Sequence, residues 1–319
     1  MQGRTAASGQ LGATWARTCR HLRPSGGARA SLPELALTGA GSPGHGEPPP
    51  SLRNPPREGW HWAEWGAEAL GTAILVLGGL SAVCLDFGRG SPVSQLVPSV
   101  SLRLLLTGLL FAGTGSLVAV SPLGRLSGAH LNPCVTLAFW SSGHVSRSDL
   151  LGYLAAQLLG GLAGTALLRL LWGRVSVSVR DGLTSPHPGV SAPAAVGIEA
   201  LMTAILILSI FAFTSFTSTA RWTPLLIWIV IALLVWRGAP YTGCSLNPAR
   251  SLGPAVLSGS YGALWIYLVG PPLGALGCAW LFVRARSGRR PLTAKLFHDS
   301  AYRSVLGGSL QGRNRRTER

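Results

Sequence analysis

The sequence predicts an all-α membrane protein in which six membrane-crossing helices and two shorter, re-entrant helices form an inverted repeat. Apolar residues make up 47% of the 319 positions and charged residues only 12%, about half the roughly 25% of an average soluble chain. The apolar residues gather into long runs with few charges. Two similar ten-residue words also occur, beginning at Gly128 and at Gly243 and sharing Gly, Leu-Asn-Pro and a final Leu, each at a stretch too short to cross a bilayer.

Charge sets the outer boundaries. Residues 61–283 carry ten Arg and six carboxylates, a net charge of +4, and the flanking segments carry the remaining +12 of the total +16. Those basic residues scatter through Gly-, Pro- and Ser-rich sequence with no helix face and no interleaved aromatics, so a nucleic-acid footprint is not expected. The positive-inside rule accounts for them instead. Five cysteines without paired close spacing exclude a disulfide scaffold and a zinc ribbon, and no metal or cofactor is expected. Residues 1–60 read as a disordered tail. They lack the apolar core of a secretory signal, although the first 33 hold Arg and no acid, as transit peptides do. Residues 61–285 hold the helices, and 286–319 form a basic tail.

The crossings follow in order. Ala69–Leu85 is uncharged, Leu104–Leu123 follows Arg103, and Leu150–Leu168 lies between Asp149 and Arg169. After the polar loop Arg174–Pro193 come Ala200–Ala220 and then Trp222–Trp236, bounded by Arg221 and Arg237. That fifth run is short, and extends to about Tyr241 if Arg237 snorkels. The sixth crossing lies in the uncharged stretch from Ser251 to Val283. Each crossing needs about 20 residues to span a hydrocarbon core of ~30 Å.

Two short stretches remain, after Asn132 and Asn247, each about ten residues or ~15 Å as helix. Only end to end do they cover a membrane. The words before them are Gly128-Ala129-His130-Leu131-Asn132-Pro133-Cys134-Val135-Thr136-Leu137 and Gly243-Cys244-Ser245-Leu246-Asn247-Pro248-Ala249-Arg250-Ser251-Leu252. Glu68-Ala-Leu-Gly-Thr72 likewise matches Glu199-Ala-Leu-Met-Thr203. The repeats therefore run over about 62–172 and 193–283. Three crossings per repeat is an odd number, so the second copy is inverted.

Asn is a favoured N-cap and Pro a favoured first helical residue, because its missing N–H would be unpaired there anyway. Two inverted Asn-Pro starts would meet near mid-membrane, each presenting about half a positive charge. Irregular backbone at that depth needs protein cover or a wet cavity. The residues before each Asn (Gly128, Ala129, His130, Gly243, Ser245) would turn carbonyls into that cavity, while the Asn amides donate to its contents. Both dipoles oppose cations, and a water held by both amides cannot relay a proton.

From about Trp62 to Val283 the chain resembles the aquaporin, or major intrinsic protein, family. The resemblance rests on Ser127-Gly-Ala-His-Leu-Asn-Pro133, Thr242-Gly-Cys-Ser-Leu-Asn-Pro-Ala-Arg-Ser251, Gln157 with Gly160 and Gly164, and Trp265-Ile-Tyr-Leu-Val-Gly-Pro271. It implies an hourglass pore per subunit, a homotetramer in the lipid bilayer, and passage of water and small neutral solutes. The pore motif maps onto Asn132, Pro133, Cys134 and Asn247, Pro248, Ala249, with Cys134 where the family carries Ala. The outer filter maps onto Arg250, Cys244 and Val235, the last where water-selective members carry His. Its second-helix member is Thr107 if the Thr107-Gly108-Leu109 triplet is aligned, or Ala112 by ungapped counting. Such a filter lacks His and a bulky aromatic and is expected to be wide, yet Ser251 and Ala255 are of the water-channel type. Water is the expected solute, with glycerol, urea, ammonia and peroxide open.

Other readings attach to the same residues. Glu68 and Glu199 would be proton relays by default, but by resemblance they anchor the loops before the Asn-Pro words. His130 reads as a loop brace, since its counterpart Ser245 has no imidazole. Gly160 with Gly164, and Gly274 with Gly277, would let helices approach closely. Cys134 and Cys244 are thiols beside the expected pore. A hydrolase built on Ser127 or Ser142 with His130 or His144 is a remote alternative, because no third orienting group is evident. A basic interaction protein acting through its tails is another. Both termini are expected in the cytoplasm, and the use of Arg over Lys points to a bacterial inner membrane.

Overall fold

The computed structural model describes residues 54–285 and 290–310; the expected tail at residues 1–53 lies outside the described residues. Eight principal helices form the body. They are α1 (Trp62–Phe87), α2 (Val100–Val120), α3 (Pro133–Ser141), α4 (Arg147–Trp172), α5 (Ala192–Thr214), α6 (Thr223–Thr242), α7 (Pro248–Ser258) and α8 (Leu264–Ala285). All but α3 and α7 are long and apolar enough to cross a membrane. At nine and eleven residues, those two reach only ~14 and ~17 Å. Among the described residues there are no strands beyond isolated bridges. The chain is an integral, multi-pass membrane protein.

Helix ends differ from the uncharged runs because helices do not stop at charges. Ser99 and Ser146 cap α2 and α4 by accepting from the N–H groups of Leu102 and Asp149, which carries both helices through Arg103 and Asp149. The fourth crossing begins at Ala192 and ends at Thr214, earlier than its apolar run, with Pro193 in its first turn. The fifth ends at Thr242. Arg237 remains exposed, its guanidinium 4.0 Å from the Trp236 ring centroid. Near the start of α1, the Trp60, Trp62 and Trp65 rings cluster at centroid separations of 4.9–5.6 Å, an aromatic anchor suited to a membrane interface.

Packing follows the repeat. α1 lies on α4 and α2 as α5 lies on α8 and α6, while each short helix crosses to the opposite repeat, α3 against α8 and α7 against α4. Close approach depends on particular glycines. A Cβ on Gly160 or Gly164 would fall 2.3 or 2.5 Å from the carbonyl oxygens of Ala69 and Ala73 on α1. In the second repeat the corresponding contacts are Gly270 on Val196 and Gly274 on Ala200, at 2.9 and 1.9 Å. Gly277, paired with Gly274 by spacing, faces open space. The second glycine of that seam is therefore Gly270, one helical turn before Gly274 rather than after it.

In the C-terminal segment, Ala294, Lys295, Leu296, Val305 and Leu306 are buried against the helical body. Apolar residues interrupt the charges there and give the segment a face to bury.

Candidate pore

Each Asn-Pro word caps its own helix and reaches across to the other. Asn132 Oδ1 accepts from the Cys134 N–H at 2.9 Å, and Asn247 Oδ1 from the N–H groups of Ala249 and Arg250 at 2.9 and 3.4 Å. Pro133 and Pro248 are the first residues of their helices. The Asn132 amide then donates to the Leu246 carbonyl at 2.8 Å, and the Asn247 amide to the Leu131 carbonyl at 2.9 Å. This reciprocal pair holds the two helix N-termini together. Among the described residues, each amide keeps a second N–H without a protein acceptor.

The loops that deliver these residues are held in strained backbone. Ala129 and Leu131 have φ of 55° and 51°, and their counterparts Cys244 and Leu246 have 49° and 58°; Gly128 and Gly243 begin the turns at 99° and 77°. Each non-glycine position of this kind costs about 1–3 kcal/mol, so the surroundings must impose it. Two buried carboxylates do so. Glu68 accepts from the His130 and Leu131 N–H groups at 3.0 and 2.7 Å and from the Ser127 hydroxyl at 2.7 Å. Glu199 accepts from the Ser245 and Leu246 N–H groups at 2.9 and 3.0 Å and from the Thr242 hydroxyl at 2.7 Å. Both are fully buried. The sequence reading missed two further braces, Tyr153 and Tyr267, whose hydroxyls donate to the carbonyls of Ser127 and Thr242 at 2.6 and 2.7 Å.

Two cavities lie along this junction, labelled inner for the one beside Leu296 and outer for the one beside Arg250. The inner one, about 90 Å³, is lined by Asn132, Asn247, Ala129, His130 and apolar side chains of α2, α5 and α6. The outer one, about 250 Å³, is lined by Arg250, Cys244, Val235 and Thr107, together with Gly243 and Ser245. Phe111, Ile231, Ser245 and Leu246 border both. Thr107 thus shares a wall with Arg250, whereas Ala112 lines the inner cavity. The outer cavity does hold aromatics, contrary to expectation. Phe87 lines it, and the Phe111 ring centroid lies 5.7 Å from the Arg250 guanidinium. Phe111 stands one turn beyond Thr107 on the same helix.

Arg250 donates through Nη1 to the Gly182 carbonyl at 2.7 Å. Gly182 sits in a tight turn whose Asp181 is gripped by Arg169 and Ser176. Cys134 is buried and lines neither cavity. The Gly128 carbonyl accepts from the Leu296 N–H at 3.0 Å, and the His130 ring nitrogens contact Thr136 and the Ala294 carbonyl. Ser142 and His144 approach within 2.9 Å, but both are fully buried and line neither cavity, and the other imidazole nitrogen faces the Pro291 carbonyl.

The major intrinsic protein family model matches residues 58–282. The chain belongs to that family. It is 34% identical to aquaporin NIP3-1 of Arabidopsis thaliana over 227 residues, covering 70% of this chain and 67% of the relative. It is 37% identical to aquaporin-6 of Mus musculus over 212 residues, covering 66% and 67%. Among solved structures, the aquaglyceroporin from Plasmodium falciparum matches with a TM-score of 0.59 and 25% identity, over 69% of this chain and 95% of the other. Members of this family are channels, and the present chain is a passive channel for water and small solutes.

Proposed function

We propose that the two cavities are the halves of one pore, and that the pore passes water and small neutral solutes while rejecting ions and protons. The observation that carries this reading is the reciprocal pairing of the Asn132 and Asn247 amides with the Leu246 and Leu131 carbonyls beside the inner cavity, with Leu246 also bordering the outer one. It points two helix N-termini at one place, where their dipoles oppose a cation. The free amide N–H groups orient a passing water by its oxygen, so neighbouring waters are turned away from each other and no proton chain forms. Arg250 and Cys244, with Val235, Thr107 and Phe111, would form the outer filter, and Glu68 and Glu199 would hold the loops in register.

The apolar wall of Val235 and Phe111 and the single fixed guanidinium suit a neutral solute larger than water as well as water itself. Stopped-flow light scattering of proteoliposomes under sucrose and then glycerol gradients tests this. Water flux above that of empty vesicles is expected, and its absence in folded protein would refute the assignment. A glycerol response sets the upper size of the filter. We further assign a homotetrameric assembly in a plasma membrane, with both basic termini on the cytoplasmic side. Cross-linking in detergent to a species other than four copies would contradict the first. Protease access to the tails from the outside of cells would contradict the second.

A further inference from the structure

The inner cavity is bordered by a part of the chain that belongs to neither repeat. After α8, residues 290–296 return to the inner rim and are held there on both repeats. The Leu296 N–H donates to the Gly128 carbonyl at 3.0 Å, and the Leu292 N–H to the Thr214 carbonyl at the end of α5 at 2.8 Å. The carbonyls of Ala294 and Pro291 face the ring nitrogens of His130 and His144, each at 2.8 Å. Lys295, almost wholly buried, donates to the Arg125 carbonyl, while Arg125 pairs with Asp299 at 3.0 Å. Between these anchors the Leu296 side chain lines the cavity that contains Asn132 and Asn247, with Ala119, Pro224 and Ile227.

We propose that Leu296 is a pore-lining residue and that Arg290–Leu296 form a collar which narrows the inner mouth and limits the rate of flux. The inference rests on the channel reading above. An apolar side chain across a single file of water removes hydrogen-bonding partners from the waters beside it and favours dewetting. The collar also occupies the Gly128 carbonyl and the His130 imidazole, two polar groups otherwise free to hydrate the inner file. Withdrawing it would both widen the mouth and return those groups to water.

Full-length Leu296→Ala and Leu296→Trp are compared with the parent chain in proteoliposomes at equal protein density, after confirming that each runs as a single species. Val305→Ala serves as a control, since Val305 is buried in the same segment and lines neither cavity. Water flux should rise about threefold in Leu296→Ala and fall below the parent in Leu296→Trp, with Val305→Ala unchanged. Equal flux in the parent and both Leu296 variants would overturn the collar while leaving the channel intact, and so would a Val305→Ala that conducts as fast as Leu296→Ala. Folded parent and Leu296→Ala that both fail to conduct would instead sink the channel reading beneath it.

Discussion

At the scale of single residues, the junction is built by polar side chains that have exchanged water for fixed partners. Glu199 takes three hydrogen bonds from one loop while fully buried. Its neutral analogue in Glu199→Gln accepts more weakly and turns an NH₂ group toward backbone donors, so roughly 2–4 kcal/mol of stability should be lost. A lowered thermal unfolding midpoint in detergent checks this, and an unchanged midpoint would deny the brace. Thiol chemistry separates the two cysteines of the motifs. Cys244 borders the outer cavity and Cys134 does not, so Cys244→Ser should abolish mercurial inhibition of water flux while Cys134→Ser keeps it. The Asn-Pro words and the paired glutamates were legible in the chain because they recur at fixed offsets in two copies, whereas Arg250, with Val135 at its counterpart, was marked by the family resemblance alone. Phe111 and the two tyrosines were not, because an aromatic in an apolar helix carries no mark of which neighbour it will face.

At the scale of helices, the seams between α1 and α4 and between α5 and α8 decide whether the repeats close. A Cβ on Gly274 would sit 1.9 Å from the Ala200 carbonyl oxygen, whereas one on Gly277 meets nothing. Gly274→Ala should therefore destabilise by about 1–3 kcal/mol through overpacking, and Gly277→Ala should stay within about 0.5 kcal/mol of the parent. Both are read from the midpoint of detergent unfolding. Sequence spacing could not tell the two apart, since Gly270, Gly274 and Gly277 share a helix face and only the packed neighbour shows which of them is used. The C-terminal segment was similarly opaque: its basic composition hid the apolar face formed by Ala294, Leu296, Val305 and Leu306.

That segment carries a pH dependence of defined sign. Burial pushes the His144 imidazole down to about 4, and Arg290 and His130 also oppose a proton there, while the Pro291 carbonyl and the Ser142 backbone favour one. The docked tail thus prefers neutral His144. As pH falls below the ordinary imidazole value near 6.5, the undocked form takes up the proton first, and docking weakens progressively toward pH 4 by up to about 3 kcal/mol. Hydrogen exchange at the Leu292 and Leu296 amides, corrected for intrinsic rate, should accelerate over that range. His144→Asn should flatten the dependence.

At the scale of the whole molecule, the proposed selectivity would come from opposition: two half-helices from inverted repeats aim positive ends at one point, and side-chain amides there would fix the orientation of water. The most direct test measures water and proton movement together, in the same proteoliposomes, with a pH-sensitive dye trapped inside. Osmotic flux well above empty vesicles, with proton flux no higher than theirs under an imposed pH gradient, is the predicted outcome. Proton flux that rises in step with water flux would contradict it.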